Sequence, residues 1–232
     1  MSTNVLKLAI EARFKPSLTF FGKQGEIGNQ IWEKVYPNWE TDGKRIVFKD
    51  MENKEICVIE YRRLLVIKEN LGEFKIEAFP SKRFSSVFKS YCETLTETKL
   101  LRLGFRIIGY YDCKMKFKEI TSIMQPKVYP DERSELYKIT NSNFDDIAFA
   151  VIYKKNNKSI RFQCGPVTNE ELLARAQLGF PVDNSILPEA SLFFDIDVFK
   201  EKPAEAGVDN FIAEAAEMLE KDIKEFINYI FK

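Results

Sequence analysis

At 232 residues the chain is one large domain or two of roughly 110 residues each. Thirty-five Lys and Arg balance thirty-five Asp and Glu, and 45% hydrophobic content with twenty Phe is enough for a core, which excludes disorder as the main state. There is no histidine, so Ser–His and Cys–His pairs, His-bearing zinc sites and the usual switch near neutral pH are excluded.

The first element is a strand: Leu6, Leu8, Ile10, Ala12 and Phe14 alternate with Lys7, Glu11 and Arg13. Gly22-Lys23-Gln24-Gly25 then reads as a turn opening a short helix over 26–36, with Ile27, Ile31, Trp32 and Val35 on one face and Pro37 closing it. Strands at 45–48, 56–61, 64–67 and 74–76, separated by the polar stretch 49–55 and by Asn70-Leu71-Gly72, form an antiparallel meander. Pro80-Ser81 starts a helix whose Phe84, Val87, Phe88, Tyr91 and Leu95 share one face, and a strand over 101–111 follows. The second half echoes the first in reduced form: a helix near 117–124, strands at 147–153 and 159–164, a helix at 169–176 and a strand at 192–199. Asp209 is expected to cap a terminal helix carrying Phe211, Ile212, Ala215, Leu219, Ile223, Phe226, Ile227 and Ile230. The fold class is therefore α+β: an antiparallel sheet from two consecutive α+β halves, 1–113 and 114–232, with helices on one face and a C-terminal amphipathic helix closing them.

Cys57, Cys92, Cys113 and Cys164 lie 35, 21 and 51 positions apart, which matches neither zinc-knuckle nor CxxC spacing. They read as reduced core thiols of a cytoplasmic protein. The first residues lack the basic segment and apolar run of a secretory signal, and no apolar run is long enough to span a membrane. Residues 1–120 hold 22 basic and 16 acidic side chains, whereas 121–232 hold 13 and 19, an asymmetry of +6 against −6 hidden by overall neutrality. If the halves are spatially separate, such a dipole steers a charged partner or docks a second copy of the chain; the preferred reading is an ordinary mixed surface whose signs are interleaved by folding.

Four stretches carry a family resemblance: Ala9-Ile10-Glu11-Ala12-Arg13-Phe14, Leu101-Arg102-Leu103-Gly104-Phe105-Arg106-Ile107-Ile108, Leu192-Phe193-Phe194-Asp195-Ile196-Asp197-Val198-Phe199, and the terminal helix. In this order the chain resembles the sporadically distributed bacterial family of proteins of about 250 residues, which has no established activity. Arg102, Gly104, Arg106, Asp195 and Asp197 sit at matching positions. Ile107 stands where that pattern has tyrosine, and the histidine common in the family's terminal helix is missing. The resemblance implies a fold and no mechanism.

The sharpest chemical candidate is Asp195-Ile196-Asp197. On a strand both carboxylates point to one face, where paired hard oxygens can hold Mg²⁺ or Mn²⁺ as metal ligands for phosphoryl transfer or hydrolysis. Arg102 and Arg106, four apart on one face of their own strand, can hold an anion, with Gly104 allowing close approach. The competing reading pairs these arginines with the aspartates as a structural ladder. The glycine-rich Gly22–Gly28 stretch matches neither nucleotide fingerprint. Arg62-Arg63, Lys114/Lys116/Lys118 and Lys154/Lys155/Lys158 with Arg161 form three basic clusters, but neutrality argues against a dedicated nucleic-acid binder unless they merge on one face. With no nucleophile–base pair and no cofactor loop, the expected function is a non-enzymatic binding or accessory subunit with an unidentified protein partner and no cofactor. A metal-dependent enzyme using Asp195 and Asp197, and a nucleic-acid binder, are the alternatives.

Overall fold

The computed structural model describes residues 2–32, 34–73, 80–95, 98–129 and 145–232. Among the described residues nine strands and five α-helices follow in the order β1 (Ser2–Phe14), α1 (Thr19–Trp32), β2 (Trp39–Thr41), β3 (Arg45–Asp50), β4 (Glu55–Glu60), β5 (Arg63–Glu73), α2 (Ser81–Thr94), β6 (Leu100–Asp112), α3 (Phe117–Val128), β7 (Phe149–Lys155), β8 (Lys158–Thr168), α4 (Asn169–Ala176), β9 (Ala190–Glu201) and α5 (Val208–Phe231). The strands form one antiparallel sheet in the order β2-β3-β4-β5-β1-β6-β9-β8-β7. None of the described helices is long and apolar enough to cross a membrane.

Setting aside the three-residue β2, the order β3-β4-β5-β1-β6-β9-β8-β7 reads alike from both ends if β1 matches β6, β5 matches β9, β4 matches β8 and β3 matches β7. The chain thus divides between α2 and β6. This symmetry groups β6 with the strands that follow it, whereas the sequence boundary after residue 113 groups it with those that precede it.

Alternation in the strands sorts two faces. Leu8, Ile10, Ala12 and Phe14 of β1, Leu103, Phe105 and Ile107 of β6, and Leu192, Phe194, Ile196 and Val198 of β9 enter the main core. Four helices cover this face in the order α1-α2-α5-α3, as their mutual contacts show. α5 contributes Phe211, Ile212, Ala215, Leu219, Ile223, Ile227 and Ile230, a stripe at helical spacing. Phe226 is half-buried and packs edge-on against Phe162, 4.7 Å between centroids, so this part of the aromatic end is used internally.

Several local expectations are corrected. The Gly22–Gly25 turn lies inside α1, which buries Phe20, Gln24, Ile27, Gly28 and Ile31 along one stripe and leaves Trp32 48% exposed. Gly28 is required there by packing, because a Cβ would meet the Trp39 ring at 2.9 Å. β5 runs through Asn70–Gly72 to Glu73. There the positive φ of Gly72 accompanies a register shift against β1, not a hairpin turn; residues 74–76 lie outside the described set. Gly207 occupies the cap of α5, and Asp209, in its first turn, accepts a hydrogen bond from the Ser85 hydroxyl. Finally, not all helices share one face. α4 and the segment after it lie on the second face, burying Leu172 and Ala176 against Leu6, Ile108, Tyr110, Val167 and Phe193.

This strap is fastened by charge. Lys7 Nζ donates to the carbonyls of Ala176 (3.4 Å) and Gln177 (2.8 Å), at the negative end of α4. Glu69, 2% exposed, accepts the backbone N–H groups of Gly179 and Phe180 at 2.8–3.0 Å. The strap therefore covers one end of the second face, and among the described residues the other end is open. In the main core Tyr91 is fully buried, with its hydroxyl lacking a hydrogen-bond partner among the described residues. An unmet buried hydroxyl costs about 1–3 kcal/mol. Tyr91→Phe is accordingly expected to raise the melting temperature by a few degrees in a thermal scan, and a fall would show that the hydroxyl is satisfied.

Candidate functional site

The antiparallel register lays out the open end of the second face strand by strand. Arg45, Glu60, Arg63, Arg13, Arg102 and Glu201 stand directly opposite one another across β3, β4, β5, β1, β6 and β9. Three arginines thus occupy adjacent strands, an arrangement that repels itself unless an acid intervenes. Glu11, two residues inward on β1 and on the same face, is that acid. Its Oε2 accepts from Arg13 Nε (2.9 Å) and Arg102 Nη1 (3.0 Å), while Oε1 lies 3.9 Å from Arg63 Nη1. Arg63 also donates to Glu60 at 2.9 Å, and its Nε is buried with no hydrogen-bond partner among the described residues.

Glycine makes this geometry possible. Gly104 stands opposite Glu11 on one side and Phe199 on the other. The Arg102 guanidinium lies across the space a side chain would fill, with Nη1 2.8 Å from a Cβ built at Gly104 and its carbon 4.4 Å from the Phe199 ring centroid. From there Nη2 reaches Asp197 at 2.6 Å. Beyond the arginines a groove of about 760 Å³ is lined by Glu11, Arg13, Arg62, Arg63, Arg102 and Glu201, among others.

The four residues singled out in the sequence do share the second face, on neighbouring strands. There they pair with one another. Arg106 grips Asp195 with two hydrogen bonds, Nε to Oδ1 at 2.7 Å and Nη2 to Oδ2 at 2.6 Å, and Arg102 holds Asp197. Asp197 is opposite both Arg106 and Arg161, and burial holds its carboxyl above the usual carboxylate value against the pull of Arg102 and Arg106. Among the described residues no three Cys, Asp or Glu side chains gather as a metal-ligand group. The four free cysteines are buried or half-buried, and burial raises all four thiols.

Two of the three basic clusters lie at the open end, separated by β1, β6 and β9: the β4–β5 turn carries Arg62 and Arg63, and the β7–β8 hairpin carries Lys154–Lys158. Lys155 and Lys158 turn to the helix layer, pairing with Asp222 (2.6 Å) and Glu214 (2.5 Å) of α5. The Lys114–Lys118 cluster lies past β6 at the opposite end, with Lys114 paired to Asp112. Glu11, Arg13 and Arg63 were visible only as charges on a half-buried strand and in a basic pair. Their meeting depends on strand order, which period-two alternation does not encode.

No protein-family model matches the chain, and no curated protein matches it in sequence. Among solved structures, similarity is found to Methanococcus jannaschii TBP, with a TM-score of 0.31 and 9% identity over 99% of this chain and 98% of that one. At that score the likeness bears on neither fold nor function.

Proposed function

We propose that this protein is a cytoplasmic binding or accessory subunit that acts through the open end of its second sheet face. The observation that carries this reading is the pairing of Asp195 with Arg106 and of Asp197 with Arg102. Both carboxylates are engaged as counter-ions within a sheet ladder, while the neighbouring groove gathers guanidinium groups. A Mg²⁺- or Mn²⁺-dependent phosphoryl-transfer or hydrolytic enzyme built on Asp195 and Asp197 would first have to break these pairs. The resemblance to the sporadically distributed family is compatible with either reading.

The double variant Asp195→Asn/Asp197→Asn tests the choice. Structural counter-ions require that it lower the melting temperature, because Arg102, 13% exposed, loses one of its partners. Arg106, 49% exposed, contributes less. Mg²⁺ and Mn²⁺ should shift the wild type and the variant equally. A metal-induced rise in melting temperature confined to the wild type would move the reading to the enzyme.

A further inference from the structure

We infer that the open, basic end of the sheet binds single-stranded nucleic acid, with phosphates on its cations and a base on Phe21. This names the partner for the binding reading above and rests on it. Backbone hydrogen bonds draw the segments together: Phe14 N to Arg62 O (2.8 Å), Lys15 N to Lys99 O (2.9 Å) and Lys202 N to Leu101 O (2.7 Å). Lys15, Arg62, Lys99 and Lys202 are therefore neighbours at the ends of β1, β5, β6 and β9. All four are exposed, and none has a carboxylate partner among the described residues. With Arg13, Arg63 and Arg102 they make seven cations against Glu11, Glu60, Glu201 and Asp197. The neutrality of the whole chain conceals this local excess.

A basic cluster alone would suit any polyanion, and the aromatic groups beside it narrow the choice. Ser17 N donates to Tyr61 O at 3.2 Å, bringing the start of α1 onto the β4–β5 turn. There Phe21, 46% exposed, stacks on Tyr61 with centroids 5.9 Å apart and planes 26° apart, and the Arg62 guanidinium sits 5.6 Å from the Tyr61 centroid. A stacked, solvent-facing ring next to uncommitted Lys and Arg is the combination that holds an unpaired base and its backbone. An acidic peptide would use the cations and leave the ring idle. Single strands expose base faces, whereas a duplex hides them.

The test is fluorescence anisotropy of a labelled 20-nucleotide oligothymidylate with the full chain. Saturable binding at 50 mM salt is expected, weakening about 50-fold or more by 200 mM if at least four phosphates are held. Lys15→Glu/Arg62→Glu, at two exposed positions, should weaken binding at least tenfold. Phe21→Ala should weaken it at least fivefold, with the melting temperature confirming that each variant is folded. No saturable binding, or binding undiminished in the charge-reversed variant, would overturn the assignment. Equal competition by polyglutamate with no effect of Phe21→Ala would overturn it in favour of an acidic protein partner. These outcomes leave the binding-subunit reading standing, since that reading fails on the metal response of the Asp195/Asp197 variant instead.

Discussion

Glu11→Gln is expected to lower the melting temperature by about 4–12 °C, and added phosphate should recover part of that loss. The variant keeps the shape of the side chain and removes the one carboxylate that touches Arg13, Arg63 and Arg102 together. Breaking a buried ion pair from one side costs about 3–5 kcal/mol. Glu11 is 13% exposed and Arg13 56% exposed, so solvent screens part of the repulsion and roughly 2–3 kcal/mol is the expected cost. In a chain of this length each kcal/mol is worth about 2–4 °C. An anion that binds only the folded protein then stabilises the variant by mass action, more than it stabilises the wild type, whose arginines already share Glu11. A melting temperature equal to the wild type would show that the three arginines do not need a common acid. A loss that phosphate leaves unchanged would show that the groove does not accept anions.

Gly109→Ala should be the most damaging single methyl in the sheet. A Cβ at Gly109 would lie 2.3 Å from the Asn4 carbonyl oxygen and 2.6 Å from the Phe194 ring, and the first of these is backbone in the adjacent strand. The strand pair already carries a register shift between Val5 and Lys7, next to the Val5↔Gly109 pair, so neither side can retreat without loosening the β1–β6 ladder. Overpacking of a well-filled core costs about 1–3 kcal/mol. A backbone clash places this substitution at the upper end or beyond, with a fall of about 6–12 °C. Gly104→Ala offers the internal contrast, because the nearest atoms to its new methyl belong to the Arg102 guanidinium, a side-chain end and not backbone. That variant should lose less stability than Gly109→Ala, since the guanidinium can shift off Phe199 at the expense of its bonds to Glu11 and Asp197 without parting two strands. Equal damage from the two alanines would contradict this distinction, and a differential thermal scan of both checks it.

Much of the fold could be read from alternation. The stripe of α5, the buried face of α2, the span of α4 and the inward residues of β1, β6 and β9 each followed from a period of 2 or 3.6 in apolar residues. Where glycine was taken as punctuation the sequence misled. Gly22 and Gly25 sit on the open side of α1 with nothing within 4 Å of a Cβ, so they interrupt a helix composition and not a helix. Gly72 likewise looked like a turn, because the positive φ that a turn needs also serves an irregular β pairing.

The candidate site divides in the same way. Asp195 with Asp197, and Arg102 with Arg106, were legible as same-face pairs. Their pairing with one another was also legible, as the ladder reading, but the further link to Glu11 was not. In particular, Arg102 reaching over Gly104 to both Glu11 and Asp197 requires β1 and β9 to flank β6, and that arrangement arises only when the two halves meet. Net charge gave the weakest guidance, since acids in α5 such as Asp222 and Glu214 neutralise hairpin lysines on the helix side and leave the cations of the open end uncompensated.

The most direct measurement is a hydrogen–deuterium exchange footprint of the protein with and without saturating oligothymidylate. If the open end of the sheet is the working surface, protection gathers at residues 13–21, 61–63 and 99–102, three segments distant in sequence and joined by backbone hydrogen bonds. Protection confined to the groove between α2 and α5, lined by Phe88, Val208 and Ile212, would place binding on the helix face and contradict the assignment of the arginine row.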